Sequence, residues 1–342
     1  MIRFLPERLL PWFEKNKREL PWRQDREPYH VWLSEIMLQQ TRVEAVKAYY
    51  NRFLQTLPTI SHLAEASENV LLKLWEGLGY YSRVRNLQKA ARQILELHGG
   101  IFPKEHSEIL ALPGIGPYTA GAISSICFEA PHAAVDGNVL RVLSRFTADR
   151  SDITAQKVKD QYAARLEAIY PKGHCGNFTQ ALMELGATVC LPNGAPLCEQ
   201  CPLQDLCRAN AAGAQQSYPV KAPKKPRRRE QRTVMILQRE GSYALCKRPD
   251  RGLLAGLWQF PDTTGHLSAQ EALDLASAWG LKPTELLEMR QKEHIFTHVH
   301  WEMRGYYLRC AAPGNFAWFS AEELAQSIGL PTAYRQFIES KI

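Results

Sequence analysis

A chain of 342 residues, 45% hydrophobic and 23% charged, has the balance of a folded protein of more than one domain rather than of a disordered one. No stretch approaches the roughly 18 unbroken apolar residues of a membrane span, and the opening MIRFLPERLLPWFEKN lacks the apolar run of a secretory signal. A cytoplasmic protein with no membrane partner is expected. The net charge of +7 is concentrated between Lys221 and Arg232, where seven basic residues face one acid, Glu230. The rest of the chain is nearly neutral, so a polyanion has to be met by local patches; the run itself reads as a solvated connector, a phosphate contact, or both.

In chain order, residues 1–210 read as mostly helical, with apolar periodicity over Val43–Leu54, Val70–Trp75, Arg83–Leu97 and Ala155–Ile169, interrupted by Pro and Gly. Residues 211–232 are Ala-, Gln-, Pro- and basic-rich without periodicity, and read as a linker. From 233 to 342 the pattern changes to short strands, over Thr233–Leu237, Tyr243–Lys247, Glu302–Arg309 and Ala317–Phe319. Helical pieces at Ser268–Trp279 and Ser320–Ser327 complete an α+β domain.

Four positions carry chemistry. Glu35, in VWLSEIMLQQTRV, has helical neighbours Val31, Trp32, Leu38 and Gln39, so its carboxyl sits on a largely apolar face, where desolvation raises a pKa. The same pattern suits a Glu reaching solvent at the edge of that face. Leu112–Ala122 (LPGIGPYTAGA) reads as a helical stretch, a turn permitted by Gly114 and Gly116, and a second helix opened by Pro117. Its backbone N–H groups would attract an anion without a basic side chain, although an ordinary helical hairpin has the same pattern. Asp136, in AVDGNV, suits an N-cap or a turn. Of eight cysteines, Cys190, Cys198, Cys201 and Cys207 crowd into C-x7-C-x2-C-x5-C. Such crowding in a reducing compartment reads as metal binding. The spacing suits an iron–sulfur cluster, with zinc competing, although structural zinc usually joins two C-x2-C knuckles and one is present.

Taken together, the four-Cys loop, LPGIGPYTAG, SEIMLQQTRV and VDGNV resemble the helix–hairpin–helix glycosylases of the endonuclease III superfamily, and within it the MutY-type adenine glycosylases. That family usually spaces its cysteines C-x6-C-x2-C-x5-C, so this loop has one extra residue. The resemblance implies an all-α glycosylase domain holding a [4Fe–4S] cluster on the four cysteines. It also implies a reaction in which Glu35 protonates adenine and Asp136, oriented by Asn138, lies beside the deoxyribose as electrostatic support or nucleophile. Bifunctional relatives place a Schiff-base lysine where Tyr118 stands, so base removal without efficient strand cleavage is implied. Trp22, Arg23 and Glu184 match positions around the adenine pocket, and Gln40, Thr41, Leu78 and Tyr80 match positions that wedge or stack around the opposite base.

In the last third, LLAGLWQFP with the helix after it resembles the Nudix fold of the MutT type. The helix offers only Glu271 and Asp274 in place of a Glu-rich Mg²⁺ site, so the fold is expected to serve recognition rather than hydrolysis. Phe296, Thr297 and His298 match the family's Phe-Ser-His loop at 8-oxoguanine, Thr retaining the hydroxyl and adding a methyl. The implied partner is duplex DNA carrying adenine opposite 8-oxoguanine or guanine, met by a monomer at the nucleoid. A lyase acting on other lesions, a non-catalytic iron–sulfur DNA-binding protein and a Nudix pyrophosphatase are the other readings. Tyr118, the Glu35/Asp136 pair and the missing glutamates argue against each in turn.

Overall fold

Caps and prolines decide where the helices of the N-terminal half begin. Pro28 opens the helix Pro28–Leu38 and Pro117 the helix Pro117–Phe128, each in the first turn, where a missing N–H breaks no bond. The Asp136 side chain accepts from Val139 N at 2.8 Å and starts the helix Gly137–Thr147, which ends at a left-handed Ala148. Gly114, at φ +79°, makes the turn before Pro117; a side chain there would press within 2.6 Å of Asn86 Cβ.

The computed structural model describes residues 1–223 and 226–338. They form two units, one of Met1–Glu65 with Asn86–Pro223, the other of Ala66–Arg85 with residues 226–338. In the first unit Leu5, Leu9 and Phe13 of the helix Leu5–Asn16 share one core with Val139, Leu143 and Phe146, and with Phe178, Leu182 and Leu185 of the helix Cys175–Thr188. Burying each such side chain contributes about 1.5–3 kcal/mol, which ties the three helices together.

The second unit is built on strands β1 (Arg228–Arg239), β2 (Ser242–Lys247), β3 (Trp258–Gln259), β4 (Asp262–Thr264), β5 (Pro283–Ile295), β6 (Val299–Cys310) and β7 (Ala317–Ser320). They form a sheet in the order β3-β2-β1-β6-β5, with β4 paired to β1 and β7 to β2. Glu240 and Gly241, both at positive φ, make the two-residue turn between β1 and β2. One sheet face is covered by Leu324, Tyr334 and Phe337, the other by Ala272 and Ala276 of the helix Ala269–Ala278.

Three features differ from the sequence reading. Residues Ala66–Arg85, expected within the helical domain, group with the second unit. Glu76 accepts from Leu330 N at 3.0 Å and pairs with Arg335, and Lys73 donates to Leu324 O at 3.2 Å. The connector is also shorter than 211–232. Residues up to 223 belong to the first unit, where Ala222 N donates to Asp152 at 3.2 Å, and β1 already starts at Arg228. Of its basic run, Arg229 pairs with Glu302 and Arg232 with Asp262, at 3.1 and 2.7 Å; Lys224 and Lys225 lie outside the described residues. Finally, Pro283–Ile295 is a long strand that the sequence did not announce. It has few β-branched residues and one largely exposed face, and its conformation is set by pairing with β6. Among the described residues no helix is long and apolar enough to cross a membrane.

Candidate active site

The helix Pro28–Leu38 is buried on nearly every side from Tyr29 to Met37, and Glu35 itself is 6% exposed. Burial pushes its carboxyl up to about 7, helped by the nearby Asp136 charge, while a hydrogen bond from Tyr118 and the charge of Arg23 pull the other way. The Tyr118 hydroxyl donates to Glu35 Oε2 at 2.5 Å, and burial beside two acids keeps that phenol protonated.

Asp136 faces the same cavity. Its two oxygens are both engaged, one as the cap of Val139 N and the other by Asn138 Nδ2 at 2.7 Å. Burial raises its pKa, and these two hydrogen bonds oppose the rise. Asn138 is held in turn by Arg141, which donates to Asn138 Oδ1 at 2.8 Å, to Gly186 O at 2.7 Å and to Cys190 O at 2.7 Å.

A cavity of about 550 Å³ in the first unit thus brings together Trp22, Arg23, Glu35, Gln40, Thr41, Tyr118, Asp136, Asn138 and Glu184. That volume accommodates a purine, and the wall holds Glu35, Asp136 and Glu184, three acids in different surroundings. Glu184 is fully buried, and its carboxylate receives Arg18 Nε at 2.6 Å and Arg23 at 2.8 Å. Burial opposes ionisation there, yet the two arginines hold the carboxyl below its usual value. Arg18 was missed by sequence reasoning, since nothing in NKRELPWR separates it from its basic neighbours. Arg141 was missed too. Its signal was available: Arg141 and Arg145 lie four apart on a helix whose other buried positions are mostly apolar, a spacing that needs fixed internal partners.

Leu78, Tyr80, Phe296, Thr297 and His298 do not join this cavity. They line another, of about 800 Å³, within the second unit. There the Tyr80 hydroxyl bonds to Thr297 Oγ1, and Phe296 packs edge-on against Trp301 with ring centroids 4.9 Å apart. Gly114 and Gly116 keep to the helical turn, Gly116 as the N-cap residue before Pro117. Glu271, the leading acid of the Nudix-like helix, is engaged in a capping box with Ser268.

The four clustered cysteines ring one small cavity with Arg145 and Gln215. Arg145 donates to Cys190 Sγ at 3.3 Å, and Gln215 Nε2 lies 3.8 Å from Cys198 Sγ. The long interval between Cys190 and Cys198 forms an exposed loop through Pro192–Ala195, and all four cysteines line the cavity. Among the described residues no three His, Cys, Asp or Glu side chains close on a single point as one ion would need.

Residues 33–168 match the HhH-GPD superfamily of base excision DNA repair proteins, and residues 232–340 match the NUDIX domain. Two solved structures align with about three fifths of the chain. A thermostable thymine-DNA glycosylase matches with a TM-score of 0.56 and 28% identity over 62% of this chain and 97% of that one. An endonuclease III–DNA covalent intermediate matches with a TM-score of 0.53 and 25% identity over 62% and 96%. The adenine DNA glycosylase of Mus musculus is 36% identical, with 96% of this chain and 77% of the mouse protein aligned. The likeness to the mouse enzyme thus spans both units, and the chain belongs to the adenine DNA glycosylase family.

Proposed function

We propose that the chain hydrolyses the N-glycosidic bond of adenine mispaired with 8-oxoguanine in duplex DNA, and leaves the strand intact. The observation that carries the reaction is Glu35: a buried carboxyl whose pKa stands at about 7, donor-bonded by Tyr118 and sharing its cavity with Asp136. Glu35 gives its proton to the adenine ring as the bond from C1′ breaks and the electron pair leaves with the base. The positive charge left on the sugar is met by the carboxylate of Asp136, held by its cap and by Asn138. Water then adds at C1′, its proton returning to Glu35, and the products are free adenine and an abasic site. Tyr118 has no amine to form a Schiff base, so no strand cleavage follows from that position.

The opposite base falls to the second unit, where Leu78, Tyr80, Phe296, Thr297 and His298 present aromatic faces and a hydroxyl in one cavity. The backbone turn at Gly114–Gly116 supplies phosphate contacts. Cys190, Cys198, Cys201 and Cys207 fit a [4Fe–4S] cluster, as in the endonuclease III-like enzymes that this chain resembles. They ring one cavity, and Arg145 and Gln215 offer N–H groups to the sulfurs. Bound there, the cluster would cross-link the loop 190–207 to itself. The enzyme is proposed to act as a monomer.

Single-turnover adenine release from a duplex with one A opposite 8-oxoguanine tests this reading, with matched A:T as control and strand breaks read before and after alkali. Release from the mispair alone, with breaks only after alkali, is the expected result. No release by folded, iron-loaded protein overturns it.

A further inference from the structure

The segment that carries Tyr80 is held in an unfavourable shape. Gly77, Gly79 and Tyr80 all take positive φ, at +97°, +69° and +48°. Glycine adopts such values freely, but a tyrosine does so only when its surroundings enforce them. Tyr80 is 45% exposed, so packing of its own ring does not supply that force.

The enforcement comes from three residues on. Arg83 is 9% exposed, and its guanidinium donates to the carbonyls of Leu78 at 2.9 Å and Gly79 at 3.1 Å, while its backbone N–H takes the carbonyl of Tyr80 at 2.9 Å. Trp75 Nε1 donates to Gly79 O as well, at 3.0 Å. The same guanidinium lies over two rings, 5.2 Å from the centre of Trp75 and 5.7 Å from that of Tyr80. The turn is therefore wound around one flat cation, fixed from below by Trp75 and facing Tyr80 above. Lysine has neither the planar fork nor the flat face to replace it.

We infer that Arg83 is a positioning residue for recognition of the base opposite the target. By holding the Leu78–Tyr80 turn, it sets the Tyr80 ring and places its hydroxyl on Thr297. Arg83 is too buried to serve as a phosphate contact, and its cationic face is directed at a ring that must meet a base. The inference rests on the proposed reading of Tyr80 as a residue that reads the mispair.

Iron-loaded full-length Arg83→Lys, Tyr80→Ala and the double variant test it, by single-turnover adenine release at saturating enzyme from A opposite 8-oxoguanine and A opposite guanine. Wild type is expected to prefer 8-oxoguanine. Arg83→Lys should lose about tenfold of that preference, and the double variant should lose no more than Tyr80→Ala alone, because coupled residues are not additive. Trp75→Phe, which removes the donor to Gly79 and leaves a smaller ring beside the guanidinium, should give a smaller loss in the same direction and keeps the test open if Arg83→Lys does not fold. The inference is overturned if Arg83→Lys slows both substrates equally in step with a lower melting temperature, or if the two losses add. If Tyr80→Ala leaves the preference intact, the reading of Tyr80 fails first, and the inference falls with it.

Discussion

Tyr118 and Glu35 stand 83 positions apart in sequence, yet the phenol donates to the acid at 2.5 Å inside the cavity that also holds Asp136. Burial raises the proton affinity of Glu35, and this contact moderates the rise.

With Glu35 at about 7 and active as its protonated form, adenine release should fall about tenfold per unit above that pH, and fall again in acid where Asp136 takes up its proton. Glu35→Gln should be slower by roughly 10²–10⁴ and lose the alkaline limb. Stability falls in the same direction, from a lower pH. Because the folded value lies above the ordinary 4.5, the folded protein keeps a proton that the unfolded chain releases. Stability is therefore lost as pH rises from 4.5 to 7, by about 3 kcal/mol at most. Melting curves at pH 5 and pH 8 should show Glu35→Gln gaining on wild type only at the higher pH.

Tyr118→Phe removes a hydrogen bond that lowers the Glu35 pKa. The alkaline limb of its pH–rate profile should shift to higher pH, with the enzyme still active. A limb that stays in place or moves down would show that the bond does not set the proton affinity of Glu35.

Glu184→Gln leaves Arg18 and Arg23 converging on a neutral amide in a site with no exposure. Removing one member of a buried pair is expected to destabilise by about 3 kcal/mol, the low end of the usual range because Arg18 is partly exposed. The folded Glu184 value is lowered, so its contribution is present above the ordinary carboxyl range and disappears as pH falls through the folded value. Denaturant midpoints of wild type and variant should differ at pH 7 and converge in acid.

Gly186→Ala would set a Cβ 2.5 Å from Asn138 Cβ and 3.0 Å from its Cα. The helix Cys175–Thr188 has to back away from Gly137–Thr147, at about 1–3 kcal/mol, and Asn138 is drawn off Asp136. Adenine release should fall further than the melting temperature explains. Gly137→Ala, whose Cβ meets nothing within 4 Å, should melt close to wild type.

The motifs around the site were legible because they are local, while the roles of Glu35 and Asp136 came from the family resemblance. The crowded cysteines lie within 18 residues, and the LPGIGP turn, Asp136 before its helix and Glu35 on an apolar helix each carry their signal within a dozen. What brings Glu35 and Asp136 to one cavity is long-range packing among helices, and no spacing rule reaches it. Arg18 illustrates the limit: its role depends on Glu184, 166 positions away. β5 shows the same for the fold, since a polar, half-exposed segment becomes a strand through what β6 offers it.

The backbone passes between the two units three times, at Glu65/Ala66, Arg85/Asn86 and Pro223/Lys224. A protease nick in the basic connector therefore does not yield two independent pieces. The N-terminal fragment keeps Lys73, Glu76 and Arg85, whose partners Leu324, Leu330 and Ala255 are on the other fragment. The nicked halves should co-migrate until denatured, and the Nudix-like portion made alone would lack a piece of itself.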